Sequence, residues 1–115
     1  MASEKRRFPR YALDVECELH AGDLTLRSRT RNLSLSGIAI MMAEPLPLGC
    51  EVTLQLALGF PDNERSEPID LPATVMWCTP LSGAFQLGAR FHELSPHLSH
   101  LVRVFIQFLQ AGPRQ

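Results

Sequence analysis

Arg6, Arg7 and Arg10 crowd the first ten residues of the chain, and Asn32, Ser34 and Gly37 follow some twenty residues later. A guanidinium is planar and permanently charged, so it pairs bidentately with a phosphate or lies flat on a purine, where lysine offers only a point charge. The carboxamide of Asn32 and the hydroxyls of Ser34 and Ser36 are short polar groups suited to base edges. Pro9 stiffens the arginine segment and lowers the entropy lost when it orders on a ligand. Cations for phosphate beside a polar corner for base edges describe a binding site for a small nucleotide. Catalysis has no such support: nothing in the sequence marks a base that would activate Ser34, and neither a nucleophile elbow nor a phosphate-cradling glycine loop occurs.

Taken singly, each cluster also has an ordinary explanation. Terminal arginines commonly sit on an exposed arm. An Asn-x-Ser-x-x-Gly stretch serves as a polar turn, with Gly37 allowing a positive φ and the two side chains capping local backbone. The charge distribution favours the ligand reading. Net charge is -1, yet residues 1–31 hold seven of the eleven basic residues against five acidic ones. That field draws a small anion to the first third of the chain, and it is too weak for a long polyanion such as duplex DNA.

The elements that must position these groups are read from hydrophobic periodicity. Residues 1–12 show none and are read as a flexible basic arm. Leu13, Val15, Cys17 and Leu19 alternate with polar residues as a first strand, and Ala21-Gly22-Asp23 is a turn. Leu24 to Arg31 continues extended, with Arg27, Arg29 and Arg31 outward and opposite Glu16 and Glu18. After the 32–37 corner, Ile38, Ile40 and Met42 give a third strand, and Val52 to Leu58 a fourth. Ile69 to Trp77 is a fifth, with Pro72 implying an edge or a bulge; Phe85 to Phe91 is a sixth. Trp77, Phe85 and Phe91 are assigned inward positions, as is Cys17. Ser95-Pro96 then opens a helix whose apolar face is Leu98, Leu101, Val102, Phe105, Ile106 and Leu109, and Gly112-Pro113 stops it. The expected fold is therefore mainly all-β, a six-stranded antiparallel barrel with a C-terminal α-helix. Residues 13–110 form it as one domain, and 111–115 are a tail.

No apolar run of about 20 residues is available to cross a bilayer, and no apolar stretch follows the basic N-terminus, so neither a membrane nor secretion is expected. The three cysteines, Cys17, Cys50 and Cys78, have no pair spacing, and the chain is assigned to the cytoplasm with reduced thiols. His92, His97 and His100 are read as surface residues, and no metal is called for.

Arg6, Arg10, Asn32, Ser34 and Gly37, in this order and in a chain of this strand count, resemble the PilZ domain. That family's signature is an RxxxR arm followed by [D/N]xSxxG, and both are intact. Gly88-Ala89-Arg90-Phe91 matches a family ending on the last strand, and Trp77 matches an aromatic on the preceding one. The resemblance runs from about Glu4 to Leu109. It implies a receptor for the bacterial second messenger cyclic di-GMP, with no cofactor beyond that ligand. Arg6 and Arg10 would clasp phosphates and stack on guanines. Asn32 and Ser34 would hydrogen-bond the ligand from the outer barrel wall, and Gly37 would let a purine approach the backbone. Arg7 would add charge. Lys5, Arg31 and Gly88 are additional candidates, Lys5 because a basic residue there accompanies a stacked ligand pair in the family. Output would pass to an unidentified partner protein in motility, exopolysaccharide production or transcription. Two other readings stand beside this one: a PilZ-like adaptor that does not bind nucleotide, and a small barrel for single-stranded nucleic acid. The last is disfavoured because exposed aromatics are scarce.

Overall fold

Two-residue alternation closes the chain on itself. The structure is a computed structural model that describes residues 9–57 and 67–111. Its strands are β1 (Tyr11–Ala12), β2 (Glu16–Ala21), β3 (Leu24–Leu33), β4 (Gly37–Met42), β5 (Glu51–Leu56), β6 (Ile69–Leu81) and β7 (Ala84–Phe91), followed by helix α1 (Pro96–Ala111). All pairings are antiparallel and run β3-β2-β5-β6-β7-β4, with β4 returning to β3 to close six strands into a barrel. Closure removes the unpaired edges that strands this apolar would otherwise expose. Leu19, Leu33, Ile40, Leu54, Leu71, Val75 and Leu87, each at most 1% exposed, fill the interior.

The seventh strand is the first departure from the sequence reading. Residues 1–12 were expected to form a free arm, but Tyr11 and Ala12 pair with Leu33 and Asn32 of β3. The expected strand from Leu13 to Leu19 is correspondingly broken, with β1 and β2 lying end to end along the same side of β3. Thr30 repairs the break. Its buried hydroxyl donates to the Leu13 carbonyl at 2.8 Å and accepts the Val15 N–H at 2.9 Å, while its own N–H reaches the Val15 carbonyl at 2.9 Å. A buried backbone interruption is tolerable only when its polar groups are satisfied in this way.

Two bulges set which side chains face out. Arg31 is an extra residue between the Thr30–Ile40 and Asn32–Ala39 pairs and is exposed. Met76 is an extra residue between the Val75–Ala89 and Trp77–Gly88 pairs, and it inverts the parity of everything after it. Val75 points inward with 1% exposure, so Trp77, expected inward, lies on the outer face instead, its ring over Gly88. Strand β6 also runs past Trp77 to Leu81, where Ser82 and Gly83, both with positive φ, turn the chain into β7.

Pro72 marks neither an edge nor a bulge, since β6 lies between β5 and β7. Its carbonyl accepts the His92 N–H at 2.9 Å, just beyond the Ala73–Phe91 end of the β6–β7 ladder. Along a strand, one residue's N and O point to the same side, so the missing N–H falls where that ladder has already stopped. The polar stretch from Gly59 to Pro68 and the Gly112-Pro113 stop lie largely or wholly outside the described residues.

The helix matches its sequence reading. The Ser95 hydroxyl accepts the Leu98 N–H at 3.1 Å, an N-cap, and Val102, Phe105 and Ile106 are buried. Each of those side chains contributes about 1.5–3 kcal/mol of burial free energy. The helix lies against β1, which ties the N-terminal strand to the C-terminal element.

Candidate functional site

The β3–β4 corner is built around one hydroxyl. Ser34 N–H donates to the Gly37 carbonyl at 2.9 Å, leaving Leu35 and Ser36 as a two-residue turn. The Ser34 Oγ accepts the N–H groups of Ser36 at 3.1 Å and Gly37 at 3.2 Å, and lies 3.2 Å from the Ser36 hydroxyl. Ser34 is 4% exposed, so the outward-facing hydroxyl expected from its spacing is mostly turned into its own corner. Ser36, one turn position on, is exposed.

Gly37 is required for a reason the sequence did not suggest. The positive-φ glycines of the described chain are Gly22, Gly49 and Gly83, and Gly37 is not among them. A Cβ at Gly37 would instead meet the Ala89 carbonyl oxygen at 2.4 Å and the Arg90 Cα at 3.4 Å. The glycine thus lets β4 press against the backbone of β7. Gly88 has a similar function with a different neighbour, because a Cβ there would sit 2.2–2.5 Å from three atoms of the Trp77 indole. On the outer wall, Asn32, Ala39, Gly88 and Trp77 follow one another across four strands, and Gly37, Arg90 and Thr74 form the adjacent row. Two missing side chains leave a floor of bare backbone with an indole laid across one end.

A cleft of about 250 Å³ lies on this floor. Arg10, Ser34, Ser36 and Gly37 line one side, and Met76, Trp77, Gly88 and Arg90 the other. Strand β1 explains how Arg10 arrives there: it is the residue before Tyr11, which pairs with Leu33 at the mouth of the corner. Among the described residues, two guanidinium groups and no carboxylate line the cleft, a field that favours anions. A larger concavity of about 580 Å³, between β2, β3, β4 and β5, contains none of the predicted site residues, and its rim mixes Glu16 and Glu18 with Arg27 and Arg29. The smaller cleft is the one with matched chemistry.

Of the predicted site residues, the structure brings Arg10, Ser34, Gly37 and Gly88 together. Asn32, half-buried in the next row, and Arg31, exposed at its bulge, do not line the cleft. Lys5, Arg6 and Arg7 lie outside the described residues. Arg29 is occupied elsewhere, with Nε 2.6 Å from Asp14 and a second contact to Glu16 at 3.7 Å. For Arg29 this agrees with the reading of a surface arginine balanced by acidic neighbours; in register, Glu16 is opposite Arg29 and Glu18 opposite Arg27. Arg90 and Met76 were not singled out as site residues, and Ser36 only as a hydroxyl of the corner. The alternation of β7 carried a signal for Arg90, which shares the outer parity of Gly88. Alternation also puts Met76 outward, but its place beside Trp77 on the outer face depends on the bulge.

A six-stranded antiparallel barrel with a C-terminal helix, and a short N-terminal strand that sets Arg10 beside a Ser-x-x-Gly corner, define the class of domain. Residues 4–108 match the family model of the PilZ domain, and the chain belongs to that family. Among solved structures, it is similar to the inhibitor of motility MotI/DgrA of Bacillus subtilis, with 20% identity and a TM-score of 0.76 over 97% of this chain and 55% of that one. The PilZ domain of YcgR from Escherichia coli, solved with c-di-GMP, matches at 21% identity and a TM-score of 0.76, covering 94% and 93% of the two chains. The Klebsiella MrkH–c-di-GMP complex matches at 15% identity and a TM-score of 0.75, covering 95% and 54%. The chain thus spans about half the length of MotI/DgrA and MrkH. No curated protein matches it in sequence. No helix among the described residues is long and apolar enough to cross a membrane.

Proposed function

We propose that this PilZ protein is a receptor for cyclic di-GMP, bound in the cleft between Arg10, the Ser34–Gly37 corner and Trp77. The observation that carries the reading is the convergence of Arg10 with Ser34 and Gly37, residues from the two halves of the RxxxR and NxSxxG pattern, on one cleft that no carboxylate among the described residues lines. The solved complexes of the YcgR domain and MrkH with c-di-GMP support the choice of ligand. Arg10, fixed by β1, meets a phosphodiester, and Arg6 and Arg7 close over the same ligand from upstream. Ser34 acts chiefly by holding the corner, which leaves Ser36 and the backbone near Gly37 to face the nucleotide. Engagement of the ligand by Arg6 and Arg7 changes the surface offered to a downstream protein, whose response is the output. The domain binds and relays rather than catalyses.

Titration calorimetry with cyclic di-GMP tests this. Arg6→Ala and Arg10→Ala are each expected to weaken binding roughly ten- to a hundredfold, the loss of one charge-assisted contact. Binding that survives both changes together, or no binding by the native chain, would refute the reading.

A further inference from the structure

Arg90 lines the cleft across the Ser34–Gly37 corner from Arg10, at the position of the Gly88–Phe91 ending to which no role has been given. We propose that Arg90 is a ligand-binding residue that grips a phosphodiester of the nucleotide from the β7 side; this rests on the receptor reading above.

Four observations converge on it. Strand β7 is paired on both flanks, with Gly37 and Thr74 as the partners of Arg90, so the guanidinium springs from a backbone held on both sides. The next residue is anchored as well, the Phe91 N–H donating to the Ser36 carbonyl of the corner at 2.9 Å. One lateral neighbour of Arg90 is Gly37 and the outward residue before it on β7 is Gly88, so on those two sides there is no side chain to fill the space. Finally, Arg90 is exposed and no carboxylate among the described residues lies within ion-pair distance of it, in contrast to Arg29 with its Asp14 and Glu16 contacts.

A cation left unbalanced on a rigid strand at the edge of an anion-selective cleft is half of an ion pair. Glu51, on the far side of Thr74 from Arg90 in the sheet, is engaged by His92 at 2.7 Å and by the Thr74 hydroxyl at 3.1 Å. A cyclic dinucleotide carries two phosphodiesters, and Arg10, beside the Ser34–Gly37 corner, supplies a cation on one side of the cleft. Arg90 supplies the other. Because it stands on a paired strand of the sheet, its charge is already placed before a ligand arrives.

The test uses the full chain and cyclic di-GMP as probe, with calorimetry from low to moderate NaCl on the native protein, Arg90→Ala and Arg90→Lys. Arg90→Ala is expected to lose at least tenfold in affinity and to show a shallower salt dependence, because one phosphate contact is gone. Arg90→Lys should recover a good part of the loss, since a point charge still serves a phosphate. The melting temperature of Arg90→Ala without ligand should equal that of the native chain. Native-like affinity in Arg90→Ala alongside weakened Arg10→Ala overturns the assignment while leaving the receptor reading intact. A loss with unchanged salt dependence, or one that lysine fails to restore, overturns the phosphate role. If the native chain does not bind at all, the underlying reading fails instead.

Discussion

Tyr11 is the antiparallel partner of Leu33. This single pairing joins the two parts of the site, because it fixes the residue before it, Arg10, beside the corner that begins at the residue after Leu33. Arg10 of the arginine pattern and the serine–glycine corner are therefore adjacent through main-chain hydrogen bonding, before any ligand is considered. Helix α1 backs the same short strand.

Thr30 is what holds that arrangement together, and Thr30→Val tests it. Valine keeps the shape and removes the hydroxyl, which leaves the Leu13 carbonyl and the Val15 N–H without their 2.8 Å and 2.9 Å partners. Thr30 is 1% exposed, so water cannot readily substitute. The expected cost is about 1–3 kcal/mol in denaturant unfolding. Amide exchange at Tyr11 and Val15 should quicken more than in β5. If exchange rises uniformly instead, the local role given to the hydroxyl is wrong.

The barrel was legible because alternation is a direct record of a half-buried wall: β4, β5 and β7 follow the apolar residues of the sequence closely. The helix was equally clear from its cap and its apolar stripe. What could not be read was anything determined by an extra residue. The Met76 bulge moves Trp77 to the outer face and thereby creates the shelf of the cleft, yet a strict two-residue count puts it inside. Strand β1 is only two residues long and carries no period to detect. Its register comes from Thr30, seventeen or more residues away. For the site, motif spacing located the corner, and Ser34 takes the capping arrangement that the same spacing allowed, because an oxygen that suits a ligand also suits two adjacent backbone donors.

Ser34→Ala separates those two functions. The change deprives the Ser36 and Gly37 N–H groups of their shared acceptor in a largely buried corner. A stability loss of about 1–3 kcal/mol is expected, whereas Ser36→Ala, on an exposed side chain, should stay within about 0.5 kcal/mol. Chemical denaturation of the two variants measures this. Equal stability of Ser34→Ala and the native chain would show that the hydroxyl faces the ligand and not the corner.

Cys17 gives the protein an alkaline limit. Burial among β2 and its neighbours pushes the thiol up to about 12, from the ordinary 9.0. A thiol that stays protonated in the fold and ionises in the unfolded chain gives the folded state the extra bound proton between those two values. Stability from this source is complete below 9.0 and falls as pH rises from there to about 12. Unfolding free energy measured from pH 8 to 11 should decline in the native chain, and the decline should be shallower in Cys17→Ala after allowance for its lower starting value. In the folded protein at pH 8, the half-buried Cys50 and Cys78 should react with a disulfide reagent before Cys17 does. Early labelling of Cys17 would contradict its placement.

The two site glycines differ in what stands above them, and alanine should tell them apart. At Gly37 the obstacle is the Ala89 carbonyl oxygen, part of a strand paired on both sides, so a methyl can be admitted only by separating β4 from β7. At Gly88 the obstacle is the Trp77 ring, which can swing outward at the expense of its packing. Overpacking costs typically about 1–3 kcal/mol; Gly88→Ala belongs in the lower part of that range and Gly37→Ala at its top or beyond. The chain has one tryptophan, so emission reports the shelf directly. Gly88→Ala should shift the folded protein's emission toward that of a solvated indole, while Gly37→Ala, where it still folds, should change it less. A reversed order of stabilities, or an unmoved spectrum in Gly88→Ala, would mean that the indole does not rest on Gly88 in solution, and the floor of the cleft would have to be redrawn.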